Sequence, residues 1–155
     1  MLMAHRHDDG SWRVLLFRRA IKPDLGKWSV VGGRREHGES PAQTALREAV
    51  EEAFGGRRPE IFVEKLGGYL PEGFDMASCR STQFWFPVVF QYQTFLVELT
   101  REVPLDVFTP NWESSECRWF PADQLPPDAH RMIPWTVRRL GLVGKHALQR
   151  GILRH

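Results

Sequence analysis

Residues 32–56 read GGRREHGESPAQTALREAVEEAFGG, and the fold assignment turns on this stretch. Ser40 followed by Gln43 is a capping-box pattern, in which the hydroxyl accepts from the Gln43 backbone N–H and the amide reaches back. Pro41 takes the first helical position, where a missing N–H costs nothing. Gly55-Gly56 supply the stop. The spacing therefore predicts a helix over 41–54. At 3.6 residues per turn, Ala42, Leu46, Ala49, Val50 and Ala53 fall on a core side. Thr44, Arg47, Glu48, Glu51 and Glu52 fall on the other.

Glu48 and Glu52 are neighbours at i and i+4, with Glu51 beside both. Like charges at that spacing destabilise a bare helix by about 0.2–0.5 kcal/mol. The acids are thus either a solvated face or the holders of a counter-charge. Their company favours the second reading. Gly32 and Gly33 allow close backbone approach, Glu36 and Glu39 lie in the preceding loop, and Arg47 can pin a carboxylate. An all-oxygen donor set suits Mg²⁺, with Mn²⁺ possible, rather than zinc.

Working outward, 12–18 reads as a strand after the turn signal Asp9-Gly10, with a partner at 2–6. Residues 19–27 form a loop, and 28–31 a brief buried strand leading into Gly32. The β-rich run 61–70 is expected as a strand, with Gly67-Gly68 marking a bulge, and 71–81 as a loop. The most apolar region is 84–99, split by Pro87 to leave a strand over about 89–99. A loop over 100–112, a strand over 116–120 and one helical turn over 121–125 come next. A C-terminal helix is expected over about 133–153, its apolar side built from Trp135, Leu140, Leu142, Val143, Ala147 and Leu148. No repeat or linker divides the chain, which is expected to form one domain over 1–155.

The 155 residues are 42% hydrophobic and 26% charged, as in ordinary globular proteins. A net charge of +2 is too weak to argue for a nucleic-acid groove, so no nucleic-acid partner is expected. Arg138, Arg139, Lys145, His146, Arg150 and Arg154 read first as a basic helix face. No run reaches the roughly 18 apolar residues of a membrane helix, and the polar start MLMAHRHDDG is unlike a signal peptide. A cytoplasmic location without membrane contact is the expectation. Cys79 and Cys117 match no metal spacing and read as reduced thiols.

Gly33, five residues, Glu39, seven residues, then Arg47-Glu48-Ala49-x-Glu51-Glu52 resembles the Nudix box, G-x5-E-x7-R-E-U-x-E-E-x-G-U, over residues 33–55. Trp28 and Gly32 before the box, and Trp119-Phe120-Pro121 after it, are similar too. One position departs: Phe54 stands where the box has glycine, and glycine follows at 55 and 56. The departure lies past the acids and is expected to move the helix end rather than the chemistry.

The resemblance implies an α+β or α/β fold, an α/β/α sandwich around a mixed sheet. It implies Mg²⁺-dependent hydrolysis of a phosphoanhydride in a nucleoside diphosphate linked to another moiety. Glu48 and Glu52 would be the principal metal ligands, joined by Glu51 and the Gly32 carbonyl. Glu51, Glu52 and Arg47 would form the catalytic set, with Gly33 and Glu39 structural. Family members often add an acid from an outer loop; Glu113 is favoured here as base or extra ligand, with Glu116 next.

The substrate is expected to be a small nucleotide. Arg18, Arg34 and Trp112 are the candidate contacts, followed by Arg19 and Lys27 for phosphates and Phe74, Trp85, Phe86 and Trp135 for a base. Nucleoside triphosphate pyrophosphohydrolysis ranks above cleavage of nucleotide sugars or ADP-ribose. Pro71, which follows the box at the place of a proline in some ADP-ribose-selective members, points the other way. A Nudix-fold nucleotide sensor without catalysis is the alternative of another class, and the retained Glu48, Glu51 and Glu52 argue against it. Either a monomer or a homodimer is compatible with the sequence.

Overall fold

The computed structural model describes residues 1–86 and 90–144, without the side chains of 85–91. Among these residues six strands form one mixed sheet: β1 (Leu2–Arg6), β2 (Trp12–Arg19), β3 (Trp28–Ser29), β4 (Ser81–Phe86), β5 (Phe90–Leu99) and β6 (Ser114–Pro121). Among the described residues three α-helices accompany them: α1 (Pro41–Phe54), α2 (Ile61–Leu66) and α3 (Met132–Arg139). The strand order is β3-β2-β1-β5-β4, with β6 also paired to β2. The β1–β5 pair is parallel; the other pairs are antiparallel.

The layers follow from the period-two alternation of the central strands. In β2, Leu15 and Phe17 join one core with Ala49, Val50 and Ala53 of α1 and with Phe62 and Leu66 of α2. Val14 and Leu16 join a second core with Ile133 and Val137 of α3. Both faces of the sheet are covered, so the chain is an α/β/α sandwich. Sequence alternation is muted in β2 because both of its faces are buried.

Helix α1 begins and ends where its signals place it. Ser40 accepts from Gln43 N–H at 3.1 Å, and Gln43 Oε1 accepts from Ser40 N–H at 2.8 Å. Gly55 closes the helix in the left-handed region at φ 63°. Phe54 is accommodated by stacking on Phe108, with ring centroids 5.6 Å apart. The terminating glycine has moved by one residue.

Several other expectations are corrected. The run 61–70 is helical over 61–66 and then makes a 3₁₀ turn at Gly67–Tyr69. Its β-branched composition misled; Phe62 and Leu66, at i and i+4, are both fully buried, whereas Val63 is exposed. Gly56 makes room for this turn, since a Cβ there would lie 2.4 Å from Ile61 Cδ1. The loop expected over 71–81 contains a 3₁₀ turn at Met76–Ser78 and already enters β4 at Ser81. That strand pairs with β5 from Ser81↔Phe95 to Phe86↔Phe90. Pro87 lies outside the described residues.

The short strand before Gly32 covers only Trp28 and Ser29, whereas β6 is longer than expected. Residues 121–124 form a turn closed by Gln124 N–H to Pro121 O at 3.0 Å, not a helical turn. Helix α3 stops at Arg139, and Gly141 at φ 72° follows it. The remainder of the expected C-terminal helix, from 145 onward, lies outside the described residues, and so does most of the basic tail.

Candidate active site

Arg47 is the hub of the loop and helix over 34–51. Its Nε donates to Glu39 Oε1 at 2.6 Å, and Nη1 to Glu48 Oε1 at 3.0 Å. Nη2 donates to Arg34 O at 2.9 Å and to Glu39 Oε2 at 3.2 Å. Glu51 lies 3.5 Å from Nη1 and is half exposed. Glu39 also accepts from Thr44 Oγ1 at 2.8 Å and from Glu36 N–H at 3.1 Å. The Arg47 hydrogen bond, followed by the one from the Glu36 backbone, holds the Glu39 carboxyl down at about 2. Glu39 is thereby the clamp that fixes loop to helix.

Glu52 behaves oppositely. The helical wheel places it on the outer face, yet it is only 7% exposed, and Thr44 is buried as well. The reason is tertiary cover: the segment after β3 and the loop before β6 close over this face. Gly32 N–H donates to Glu52 Oε2 at 2.6 Å. The loop is tied to the helix end by Thr109 N–H to Ala53 O at 2.8 Å and Asn111 N–H to Glu52 O at 3.1 Å. Asn111 Oδ1 accepts from Glu113 N–H at 3.0 Å, which turns Glu113 toward the helix.

Burial, then a hydrogen bond to the Glu113 carboxyl, pushes Glu52 up to about 9. Burial also raises Glu48, against the pull of Arg47. Desolvation is the main cause in both, and the neighbouring acids add to it. Gly33 leaves the space that the Glu48 carboxylate fills: a Cβ at 33 would lie 2.2–2.7 Å from it.

The other candidates are scattered. Glu113 joins Glu52, whereas Glu116 sits on β6 paired with Arg118 at 2.5 Å and Arg18 at 3.9 Å. Arg18 also lies over the Trp28 ring and donates to Gly26 O, tying β2 to the following loop. Arg34 contributes its carbonyl to Arg47. Arg19 donates to Pro23 O, and Lys27 pairs with Asp24. Trp112 is 73% exposed beside Glu113. Phe74 packs at the rim of the core, and Trp135 sits edge-on to Phe84. The side chains of Trp85 and Phe86 lie outside the described residues.

Sequence reasoning gave no role to Thr44 or Asn111. Thr44 was legible in principle, four residues before Glu48 on one helix face. Asn111 is an Asx-type brace two residues before Glu113, a signal too common to single out.

The donor chemistry fits a hard divalent cation. Two carboxyl groups, Glu48 and Glu52, are drawn from water and meet at a backbone segment, and a third acid, Glu113, stands against Glu52. Among the described residues no three His, Cys, Asp or Glu side chains converge as a ready-made cage. Mg²⁺ does not need one, because it is commonly held by one or two carboxylates with water and substrate phosphates completing the shell.

The family model described as NUDIX domain matches residues 3–139. The chain belongs to the Nudix family. Two curated Mycobacterium tuberculosis proteins, from strains CDC 1551 / Oshkosh and H37Rv, each bear the name "Putative 8-oxo-dGTP diphosphatase 3" and are 30% identical over 120 residues. The match takes in 77% of this chain but 49% of theirs, so the chain spans about half the length of these Nudix relatives.

Among solved structures, a Caenorhabditis elegans Ap4A hydrolase superposes with a TM-score of 0.62 at 16% identity, covering 90% of this chain and 92% of the other. The Mycobacterium smegmatis Nudix hydrolase RenU superposes with a TM-score of 0.58 at 23% identity, covering 90% and 80%. At such identities the likeness establishes the Nudix fold, in agreement with the α/β/α sandwich. No helix among the described residues is long and apolar enough to cross a membrane.

Proposed function

We propose that this Nudix chain hydrolyses a phosphoanhydride bond in a nucleoside diphosphate linked to another group, with nucleoside triphosphates as its preferred class. The observation that carries the reading is Glu52. It is a buried carboxyl group clamped by Gly32 N–H and set against Glu113 beside Glu48. Such an arrangement is costly without a counter-charge and useful with one. The naming of the 30%-identical relatives as 8-oxo-dGTP diphosphatases supports the triphosphate class.

Glu48 and Glu52, with the Gly32 backbone, would hold Mg²⁺ or Mn²⁺, and Glu51 would stand at its edge. The cation would neutralise phosphate charge and acidify water. The chain's own residues do the rest. Arg47 fixes Glu48 and, through Glu39, the loop; Glu113 accepts the proton of the attacking water, its orientation set by Asn111. Glu116 is assigned no part, because Arg18 and Arg118 engage it on β6.

Turnover of a panel of deoxynucleoside triphosphates, nucleotide sugars, ADP-ribose and dinucleoside polyphosphates, with products identified, tests the reading. Pyrophosphate and nucleoside monophosphate from triphosphates is the expected result. Glu113→Gln should lower kcat by about 100-fold or more, the scale of a lost general base. Glu116→Gln should leave it nearly unchanged, and equal losses would sink the assignment of Glu113.

A further inference from the structure

The acid cluster accounts for the phosphates of a nucleotide and leaves the rest of the molecule without a seat. Strand β5 supplies one. Phe95 and Val97 face the α1-side core and Leu96 the α3-side core. By the same alternation Tyr92 and Thr94 stand on the α3 side. There a cavity of about 350 Å³ opens, lined among others by Ser29, Val30, Tyr92, Thr94, His130 and Ile133. This falls within the roughly 300–1,000 Å³ of small-molecule sites. Its rim is preset: His130 Nδ1 accepts from Met132 N–H at 3.2 Å, and Nε2 faces Asp24 at 3.3 Å.

Tyr92 also borders the neighbouring cleft lined by Gly32 and Gly33. Its hydroxyl stands 3.3 Å from where a Cβ on residue 32 would lie, and Gly32 N–H is the group bound to Glu52. One end of the ring is thus set beside the acid cluster, while the residue remains 41% exposed. No other described aromatic is shared by the two cavities. Phe74 is packed against the core, Trp135 lies against Phe84, and Trp112 projects from a loop.

Building on the hydrolase reading, we propose that Tyr92 is the platform on which the base of the nucleotide substrate stacks, within the cavity shared by β3, β5 and the start of α3. The sugar then lies toward Gly32 and the phosphates at Glu48 and Glu52. Tyr92 is a specificity-determining contact, and it selects a planar group rather than a particular phosphate chain.

The chain has two tyrosines, Tyr69 and Tyr92, so protein labelled with 3-fluorotyrosine gives two fluorine signals that Tyr69→Phe assigns. In EDTA, AMP or GMP should shift the Tyr92 signal and leave that of Tyr69 in place; ribose 5-phosphate should shift the Tyr92 signal less, and pyrophosphate should shift neither. Tyr92→Leu should raise KM on the order of 10-fold with kcat within about threefold, and Tyr92→Phe should restore it, as loss and recovery of one stacking face requires. A Tyr92 signal unmoved by saturating nucleotide, or moved equally by pyrophosphate, overturns the proposal. Hydrolysis with a silent Tyr92 sinks the platform alone. A responsive Tyr92 without hydrolysis anywhere in the panel sinks the hydrolase reading and leaves the platform standing.

Discussion

At the scale of single residues the site is a set of tight fits around two carboxylates. Glu52→Gln keeps an oxygen that can accept from Gly32 N–H and removes a charge that burial disfavours. The variant should fold and, in EDTA at pH 8, melt at or above the wild-type temperature. Its kcat should fall by about 100-fold or more. A variant that unfolds, or one that turns over at near wild-type rate, would contradict this. Gly33→Ala tests the other carboxylate. The added methyl would lie 2.2–2.7 Å from the Glu48 carboxylate, which must then swing away from its place. Activity at fixed Mg²⁺ should drop at least about 10-fold, with partial recovery at higher Mg²⁺, because the loss is one of ligand placement. Circular dichroism should remain that of the wild type, since Gly33 lies outside the helices and strands.

At the scale of elements, α1 and the loop before it behave as one unit. Ser40→Ala removes one half of the capping box and should cost about 1 kcal/mol in urea unfolding, with kcat little changed. Glu39 gives the unit a pH signature. Its folded pKa, about 2, lies below the ordinary 4.5. The stability it contributes is therefore complete above pH 4.5 and is lost as pH falls toward 2. Glu39→Gln should flatten that part of the curve, and an unchanged acid limb would rule the clamp out.

How much of the molecule is legible in its sequence divides along local and tertiary lines. Helix α1 is readable to the residue because its signals, Ser40, Pro41, Gln43 and Gly55, are all within the helix or at its ends. Helix α2 is not, because Ile61, Phe62 and Val63 favour strands by composition and only the burial of Phe62 with Leu66 decides otherwise. The face of Glu52 is misjudged for the same reason. A wheel knows the helix but not the 32–33 and 109–113 segments that cover it. The acids of the box announce themselves by spacing. Tyr92, in a run crowded with other aromatics, carries no sequence signal that sets it apart from them.

On the whole-molecule scale, the acid cluster is where three separate pieces of chain meet: the C-terminal half of α1, the segment after β3, and the loop before β6. Gly32 N–H to Glu52 Oε2 and Asn111 N–H to Glu52 O are the bonds that join them. Without a cation the junction opposes folding as pH rises. Glu52 titrates at about 9 in the folded chain against an ordinary 4.5, so the stability present below pH 4.5 is progressively lost up to pH 9. A cation that binds the deprotonated pair reverses the trend. At a Mg²⁺ concentration 100 times Kd the gain is about 2.7 kcal/mol. For a chain of this size that raises the melting temperature by about 5–10 °C. Melting curves in EDTA and in increasing Mg²⁺ should therefore diverge more at pH 8.5 than at pH 6, where protons compete for Glu52. In Glu52→Gln the divergence should vanish, and in Glu116→Gln it should persist. A Mg²⁺ shift of equal size at both pH values, or one that survives Glu52→Gln, would place the cation elsewhere on the molecule.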